Sequence, residues 1–346
     1  MEGYQKLVIY ATIIMLGALI TVFTFDTWQT VLIVTLLLIL INYLIVLSLD
    51  KVGQVNFLTV KEGFTTETDA ASSKYEWLGN DDLFDDFYAS VFTKLTQNEN
   101  LIQAETAICM EEFSRNTPKD QLTILDAGCG IGIGTCAFAK LGAGHTVGID
   151  KSPAMIRYAK GTTLPSTTLK DTQKQDVEFR MADLIGPGAA GGAEFSSACL
   201  LYFTVYYFKD LDALFRNLAL WVRPGGTLAV EVVNKYKFEP ILDSSNPWVG
   251  VSPQRYVKER LKTSRVVFDK FEYEATFELE DPRAEFRETF RFKDGSVRRQ
   301  KHSLTMPSMK RIITKAQDNG WAYTKYVDLM PLSFSYGYLL FFNRKE

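Results

Sequence analysis

Hydrophobic positions fall into three regimes along the chain. At the N-terminus, Leu7 to Phe25 and Val31 to Leu49 form two apolar runs, separated only by Asp26-Thr27-Trp28-Gln29-Thr30. As a helix each would extend about 28 Å, close to the hydrocarbon thickness of a bilayer, so residues 1–50 predict a transmembrane helical hairpin that meets the lipid bilayer through residues 7–49. A signal peptide would show a small-residue cleavage site and no second span. Asn42 in the second run reads as an interhelical hydrogen-bonding residue. The short connection puts both ends on one side, where Lys6 and Lys51 lie, so the positive-inside rule places the domain that follows on the cytoplasmic side of an integral membrane protein. Residues 51–74, with TTETDAASS, hold no sustained period and read as a linker.

From Tyr75 the pattern is that of a globular domain, 75–346. Asn80 or Asp81 is expected to cap a helix with apolar positions Leu83, Phe84, Phe87, Tyr88 and Val91, and a further helix is expected over Leu101 to Phe113. Then LTILDAG, HTVGID, VEFRMAD, FSSACLLYF and GGTLAVEVV alternate with helical stretches starting near Thr135, Pro153 and Leu211. Strands and helices alternating at this pace imply a parallel sheet covered on both faces, over about 120–234.

The last third changes character. After a proline-containing loop and a helix over Gln254 to Lys262 come the strand-like runs VVFDKFEYEATFEL and EFRETFRF, and Asp294-Gly295 signals a hairpin turn. This antiparallel insertion, about 235–307, precedes a helix over Ser308 to Asn319 and two final strands, AYTKYVDL and YGYLLFF, in 308–346.

A net charge of -3 gives no basic field to draw the chain to nucleic acid, and no nucleic-acid partner is expected. Cys109, Cys129, Cys136 and Cys199 form no C-x-x-C pair and read as free thiols. His145 and His302 are the only histidines, so metal-free chemistry is expected.

DAGCGIG, Asp126 to Gly132, follows the apolar run Leu122 to Leu125 and opens onto a helix. Glycines at such a turn let the backbone approach a ligand and accept positive φ. A ligand-free glycine turn is the plain alternative, and nicotinamide-binding proteins use a similar turn. The acid before the first glycine separates them: Asp126 would repel a pyrophosphate, whereas a cofactor presenting an amino group and a sulfonium is served by it. Asp150 ends VGID at the second strand tip, where a carboxylate accepts hydrogen bonds from both ribose hydroxyls, and Asp183 ends VEFRMAD at the third, where an adenine amino group would be met. For Asp150 and for Asp183 alone a solvated strand end is the plain alternative; with Asp126, acids at three successive tips form a set.

As a set, DAGCGIG, VGIDKSPAMIRYAK, ADL and WVRPGGTLAVE resemble the motifs of the class I S-adenosylmethionine-dependent methyltransferases, over about Leu122 to Asn234. The resemblance implies an α/β Rossmann-like sheet with helices on both faces and an antiparallel terminal strand pair, and S-adenosylmethionine as cofactor. It implies that Asp126, Gly128, Gly130 and Gly132 surround the methionine part, that Asp150 meets the ribose, and that Ser152, Met155, Asp183 and Leu184 meet the adenine. Cys129, Lys151 and Leu200 complete the expected cofactor-binding set. NKYKFEPIL, VSPQRY and the apolar N-terminus also look like uncharacterised methyltransferases of large DNA viruses of algae and protists, which extends the expected location to a virus-associated membrane.

Methyl transfer from a sulfonium is an in-line displacement. A neutral amine needs no further help; a hydroxyl profits from a general base, worth roughly 10²–10⁴-fold. In CLLYFTVYYF, Tyr202, Phe203, Tyr206 and Tyr207 are candidates to line the acceptor site, with Tyr206, Tyr207 and His302 as catalytic candidates. Half-buried packing aromatics, and a solvated strand position for His302, are the plainer readings. His145 reads as structural. Arg298, Arg299 and Lys301 suit a solvated edge strand or an anionic group, and Tyr75, Trp77, Phe84 and Tyr88 a lid or core packing. The expected function is methyl transfer to an N or O acceptor on a small-molecule or lipid-associated substrate. A membrane-anchored structural or interaction protein retaining the fold is the alternative, and a nicotinamide oxidoreductase is disfavoured by Asp126.

Overall fold

The alternation of apolar runs with helical stretches closes into a parallel sheet in the computed structural model of the chain, which describes residues 77–96, 99–186, 188–238, 263–332, 334 and 336–346. Two helices come first, α1 (Asp86–Thr96) and α2 (Glu99–Phe113). The core then runs β1 (Thr123–Ala127), α3 (Ile133–Lys140), β2 (His145–Asp150), α4 (Pro153–Tyr158), α5 (Asp171–Gln175), β3 (Val177–Met181), β4 (Phe195–Leu200), α6 (Leu211–Trp221) and β5 (Val222–Val233). An antiparallel set follows, β6 (Thr263–Val267), β7 (Phe271–Glu280), β8 (Arg283–Phe292) and β9 (Val297–Thr305), and the chain ends with α7 (Met309–Asp318), β10 (Trp321–Asp328) and β11 (Gly337–Arg344).

The main sheet has the order β10-β11-β5-β4-β1-β2-β3, parallel from β5 to β3, with β11 antiparallel to both β5 and β10. Strands buried on both faces read as continuous apolar runs, and β4 is buried at every position. Successive residues serve opposite layers. Ile124, Cys199, Ala229, Leu339 and Phe341 join Met110 and Phe113 of α2 and Phe138 of α3. Leu125, Ala198, Leu228, Leu340 and Phe342 join Leu214 and Leu218 of α6 and Ile312 of α7. Trp321 fixes the latter layer by donating its indole N–H to the Phe215 carbonyl at 3.0 Å.

The insertion is a separate sheet, β6-β7-β8-β9. The Asp294-Gly295 turn is present between β8 and β9, with Gly295 at φ 86°. The run VVFDKFEYEATFEL is two strands rather than one, because the chain reverses between β6 and β7 at residues 268–270. One face of this sheet, with Tyr273, Ala275, Phe277, Phe290 and Ala284, is continuous with the apolar layer beneath α6.

The N-terminal helix starts later than its apolar spacing suggests. Asp85, not Asn80 or Asp81, caps α1, its Oδ1 accepting from the Tyr88 N–H at 3.0 Å. Asn80 instead pairs reciprocally with the Ser303 backbone, 2.8 Å each way, and Leu78 bridges β9, its N–H donating to the Arg299 carbonyl at 3.1 Å and its carbonyl accepting from Lys301 at 2.8 Å. Arg298 is likewise not a solvated edge charge: its guanidinium binds Asp85 at 2.6 Å and lies over the Phe87 ring.

The expectation of an integral membrane protein with a cytoplasmic catalytic domain, extended to a virus-associated membrane, is corrected: among the described residues no helix is long and apolar enough to cross a membrane. The longest, α2, has 15 residues, about 22 Å against a hydrocarbon core of about 30 Å. The runs 7–25 and 31–49, the linker 51–74, Tyr75 and the helix expected over 254–262 lie outside the described residues.

Gly148, in the middle of β2, is closely approached by side chains beneath the glycine-rich turn. A Cβ there would sit 2.6 Å from Thr135 Oγ1 and 2.8 Å from both Cys129 Sγ and Phe179. Gly148→Ala is therefore expected to destabilise the fold by about 1–3 kcal/mol through overpacking, read as a melting temperature lower by about 2–8 °C in a circular-dichroism melt. An unchanged melting temperature would show that Thr135 and Cys129 give way freely.

Candidate active site

A cavity of about 470 Å³ opens where β1, β2 and β4 end, the position at which open α/β sheets bind ligands. At β1 the chain turns through Gly128 and Gly130, both at positive φ, and Gly128 and Cys129 donate to the Ile149 carbonyl at 2.7 and 3.1 Å. A side chain on Gly128 would strike Thr204, 2.4 Å from its methyl group, whereas a Cβ on Gly130 would meet nothing within 4 Å. The first glycine is thus required by the fold, and the second leaves open space on the cavity.

Asp126 lies at the floor of this space, 4 % exposed, accepting from Thr135 Oγ1 at 2.7 Å. Burial pushes its carboxyl up to about 6, against the pull of the Thr135 and Cys199 hydrogen bonds. Asp150 accepts from Gly130 N–H at 2.9 Å and from Ser152 N–H at 2.8 Å, one on each oxygen. Burial raises it too, and these backbone N–H groups oppose the rise. A carboxylate has about four lone-pair positions, so each oxygen keeps capacity for a hydroxyl donor. Asp183 is exposed at the end of β3, its Oδ1 accepting from Ile185 N–H at 3.0 Å, with Leu184 buried beside it.

The cavity brings together Asp126, Gly128, Cys129, Gly130, Asp150, Lys151, Met155, Asp183 and Leu184 of the expected cofactor set, and Tyr206, Tyr207 and His302 of the expected acceptor set. Gly132, Ser152 and Leu200 do not line it. Gly132, at φ 82°, precedes α3 and faces Phe179. Ser152 caps α4 and donates to the Phe84 carbonyl at 2.6 Å, so it fastens the N-terminal segment. Leu200 is fully buried within β4. Of the lid candidates, Phe84 and Tyr88 line the cavity and Trp77 does not.

The wall opposite the acids is built by a strained turn. Tyr202 and Phe203, with one residue between them and the end of β4, stand at φ 47° and 61°, a pair of left-handed residues that side chains disfavour. The buried Glu231 of β5 holds them by accepting from the Tyr202 N–H. Burial pushes Glu231 up to about 7, with that N–H pulling the other way. The turn aims Tyr202, Phe203, Tyr206 and Tyr207 at the cavity. Tyr206 forms wall only: its hydroxyl accepts from Val233 N–H at 2.8 Å and reaches the carbonyl of that same residue at 3.5 Å.

His302 is not a solvated strand residue; it is 3 % exposed. Nδ1 lies 2.7 Å from the Tyr207 hydroxyl and Nε2 lies 2.7 Å from Glu288 Oε2. Glu288, 1 % exposed, also accepts from Tyr273 and Gln300, each at 2.6 Å. Burial raises the Glu288 carboxyl, but His302 and these donors outweigh it and hold the group below its ordinary range. Burial, reinforced by the Glu288 charge, keeps the Tyr207 proton in place by raising its phenol well above the usual value. Glu288 was not foreseen. Its signal is period-two placement: Ala284, Phe286, Glu288 and Phe290 share one face of β8, three apolar residues and one acid.

Residues 124–226 match the family model described as a methyltransferase domain. The chain is 30% identical over 144 residues to a ribosomal protein L11 methyltransferase of Dechloromonas aromatica, covering 42% of this chain and 43% of that protein. It is 31% identical over 109 residues to phosphoethanolamine N-methyltransferase 1 of Triticum aestivum, covering 31% and 20%. The chain thus spans less than half the length of these curated relatives. Its fold is similar to that of the CcbJ methyltransferase from Streptomyces caelestis, with a TM-score of 0.57 at 12% identity over 76% of this chain and 98% of that one. Residues 124–226 are thus similar to a methyltransferase domain, and the sheet they lie in has a fold similar to that of a methyltransferase of known structure.

Proposed function

We propose that the chain is an S-adenosylmethionine-dependent methyltransferase acting by in-line transfer on an N or O acceptor of a small-molecule or lipid-associated substrate. One observation carries this reading: the three strand-tip acids and the wall with Tyr207 and His302 border the same cavity. Residues of about 120–234 would hold the cofactor, and of the insertion the described residues 263–307 would face the acceptor. When bound, the cofactor supplies an electrophilic methyl group on a sulfonium.

The residues fit such a cofactor. Gly130 offers backbone with no side chain in the way, Asp126 offers a carboxylate to an ammonium, and Asp150 offers spare lone pairs to a ribose. Asp81, Asp126, Asp150, Asp183 and Asp210 line the cavity against Lys151 and Lys209, and Lys151 is already paired to Asp81 at 2.6 Å. That balance favours a cationic cofactor and an acceptor without negative charge. The rings of Phe84, Phe92, Tyr202, Phe238 and Phe286 exclude water from the acceptor side, so the chain's part is to align and dehydrate the reacting groups.

Calorimetry of the full chain with S-adenosylmethionine, S-adenosylhomocysteine and NAD tests the reading; binding of NAD alone would sink it. Asp150→Ala is expected to weaken S-adenosylhomocysteine binding by about 1.5 kcal/mol or more, since a charged acceptor is lost to two hydroxyls. Unchanged affinity in the folded variant would remove Asp150 from the site.

Affinity should also depend on pH. A bound ammonium favours the ionised form of Asp126, whose carboxyl stands at about 6, so affinity is full above that value and falls as pH drops through it. Titrations from pH 5 to 7.5 should show this loss, and Asp126→Asn should be weaker and flatter. A wild-type profile no steeper than that of the variant would exclude Asp126 as the ammonium partner.

A further inference from the structure

We propose that Glu288, His302 and Tyr207 form a proton relay that makes the Tyr207 oxygen the base for a hydroxyl acceptor, with Glu288 the positioning residue that sets its direction. This rests on the methyltransferase reading and narrows it to acceptors whose nucleophilic oxygen must lose a proton.

Donor and acceptor inventory fixes the direction. Glu288 is surrounded by donors: Tyr273 on Oε1, Gln300 and His302 on Oε2. An ionised carboxylate accepts only, so His302 carries a hydrogen on Nε2, and in the neutral imidazole that the relay requires Nδ1 presents a lone pair. That lone pair accepts from the Tyr207 hydroxyl at 2.7 Å. With its proton turned inward, Tyr207 offers oxygen lone pairs to the cavity it lines. Tyr88 is a more distant partner, its hydroxyl donating to Glu288 Oε1 at 3.5 Å and lying 3.4 Å from His302 Nε2. Phe84 and Phe286 close on the imidazole with ring centroids 5.7 and 5.3 Å away, leaving water no polar partner on those sides.

The step balances. As the new oxygen–carbon bond forms and the carbon–sulfur bond breaks, the acceptor hydroxyl proton passes to the Tyr207 oxygen. The proton already on Tyr207 passes to His302 Nδ1. The positive charge leaves the sulfur, which departs as a neutral thioether, and arrives on an imidazole ring held against Glu288. The relay therefore moves one charge inward, toward a buried carboxylate, as the methyl group moves outward.

The chain has two histidines, so ¹⁵N-histidine labelling of the full chain, with His145→Gln for assignment, reads His302 directly by ¹⁵N–¹H correlation. At neutral pH Nε2 should be protonated and Nδ1 bare. Glu288→Leu should move the proton to Nδ1. Tyr207→Phe, which leaves the His302–Glu288 pair in place, should not move it. A wild-type ring protonated on Nδ1, or on both nitrogens, would overturn the proposal. A second arm uses simple probes: with S-adenosylhomocysteine present, 4-methylphenol should bind about tenfold more tightly than toluene, and Tyr207→Phe should erase the difference. Equal binding of the two, or no binding of either, would also overturn it. Failure to bind S-adenosylhomocysteine would instead overturn the methyltransferase reading, and the nitrogen spectra separate the two failures.

Discussion

A carboxylate drawn into an apolar layer must be met by donors or it costs several kcal/mol. Glu288 imposes that requirement on everything near it. It sits between Phe286 and Phe290 on the inner face of β8, and its partners come from β7, β9 and, through His302, the turn after β4. Satisfying it fixes the rotamers of Tyr273, Gln300 and His302, and His302 in turn fixes Tyr207. The inserted four-stranded sheet and the seven-stranded sheet are thereby joined by oriented hydrogen bonds as well as by packing. Packing alone would tolerate a shifted register, whereas a half-satisfied polar network would not.

The cofactor side shows a different economy. Asp126 is buried and Asp150 half-buried, and their hydrogen-bond partners are backbone N–H groups, Thr135 and Cys199 rather than cations, with Lys151 acting on Asp150 only through its charge. Those neutral donors leave both groups raised rather than lowered. Such a floor is electrostatically incomplete, suited to a ligand that brings its own positive charge.

Much of the core was legible because parallel strands buried on both faces leave continuous apolar runs, and helix caps leave short polar signals. Ser152, Asp210 and Ser308 cap α4, α6 and α7 with their side chains. The start of α1 was misjudged because Asn80, Asp81 and Asp85 are all competent caps, and only tertiary partners, Ser303 for Asn80 and Lys151 for Asp81, decide which is free to act. The three strand-tip acids were legible from spacing. The environment of His302 was not: a charged run such as VRRQKHSL looks solvated until Gln300 and His302 are seen to share the face of β9 turned to Glu288 and Phe286. Nor does spacing reveal that Tyr206 spends its hydroxyl on Val233 while its neighbour Tyr207 does not.

The strand β9 is the last of its sheet, and its outer rim would otherwise be an open row of peptide groups. Leu78 occupies Arg299 and Lys301 there, and Asn80 occupies both peptide groups of Ser303 by imitating a strand with its amide. These few residues act as a detachable border. A cut that severs Leu78 to Asn80 from α1 would expose a ready template for strand exchange, so that nicked molecules would recruit one another edge to edge into aggregates.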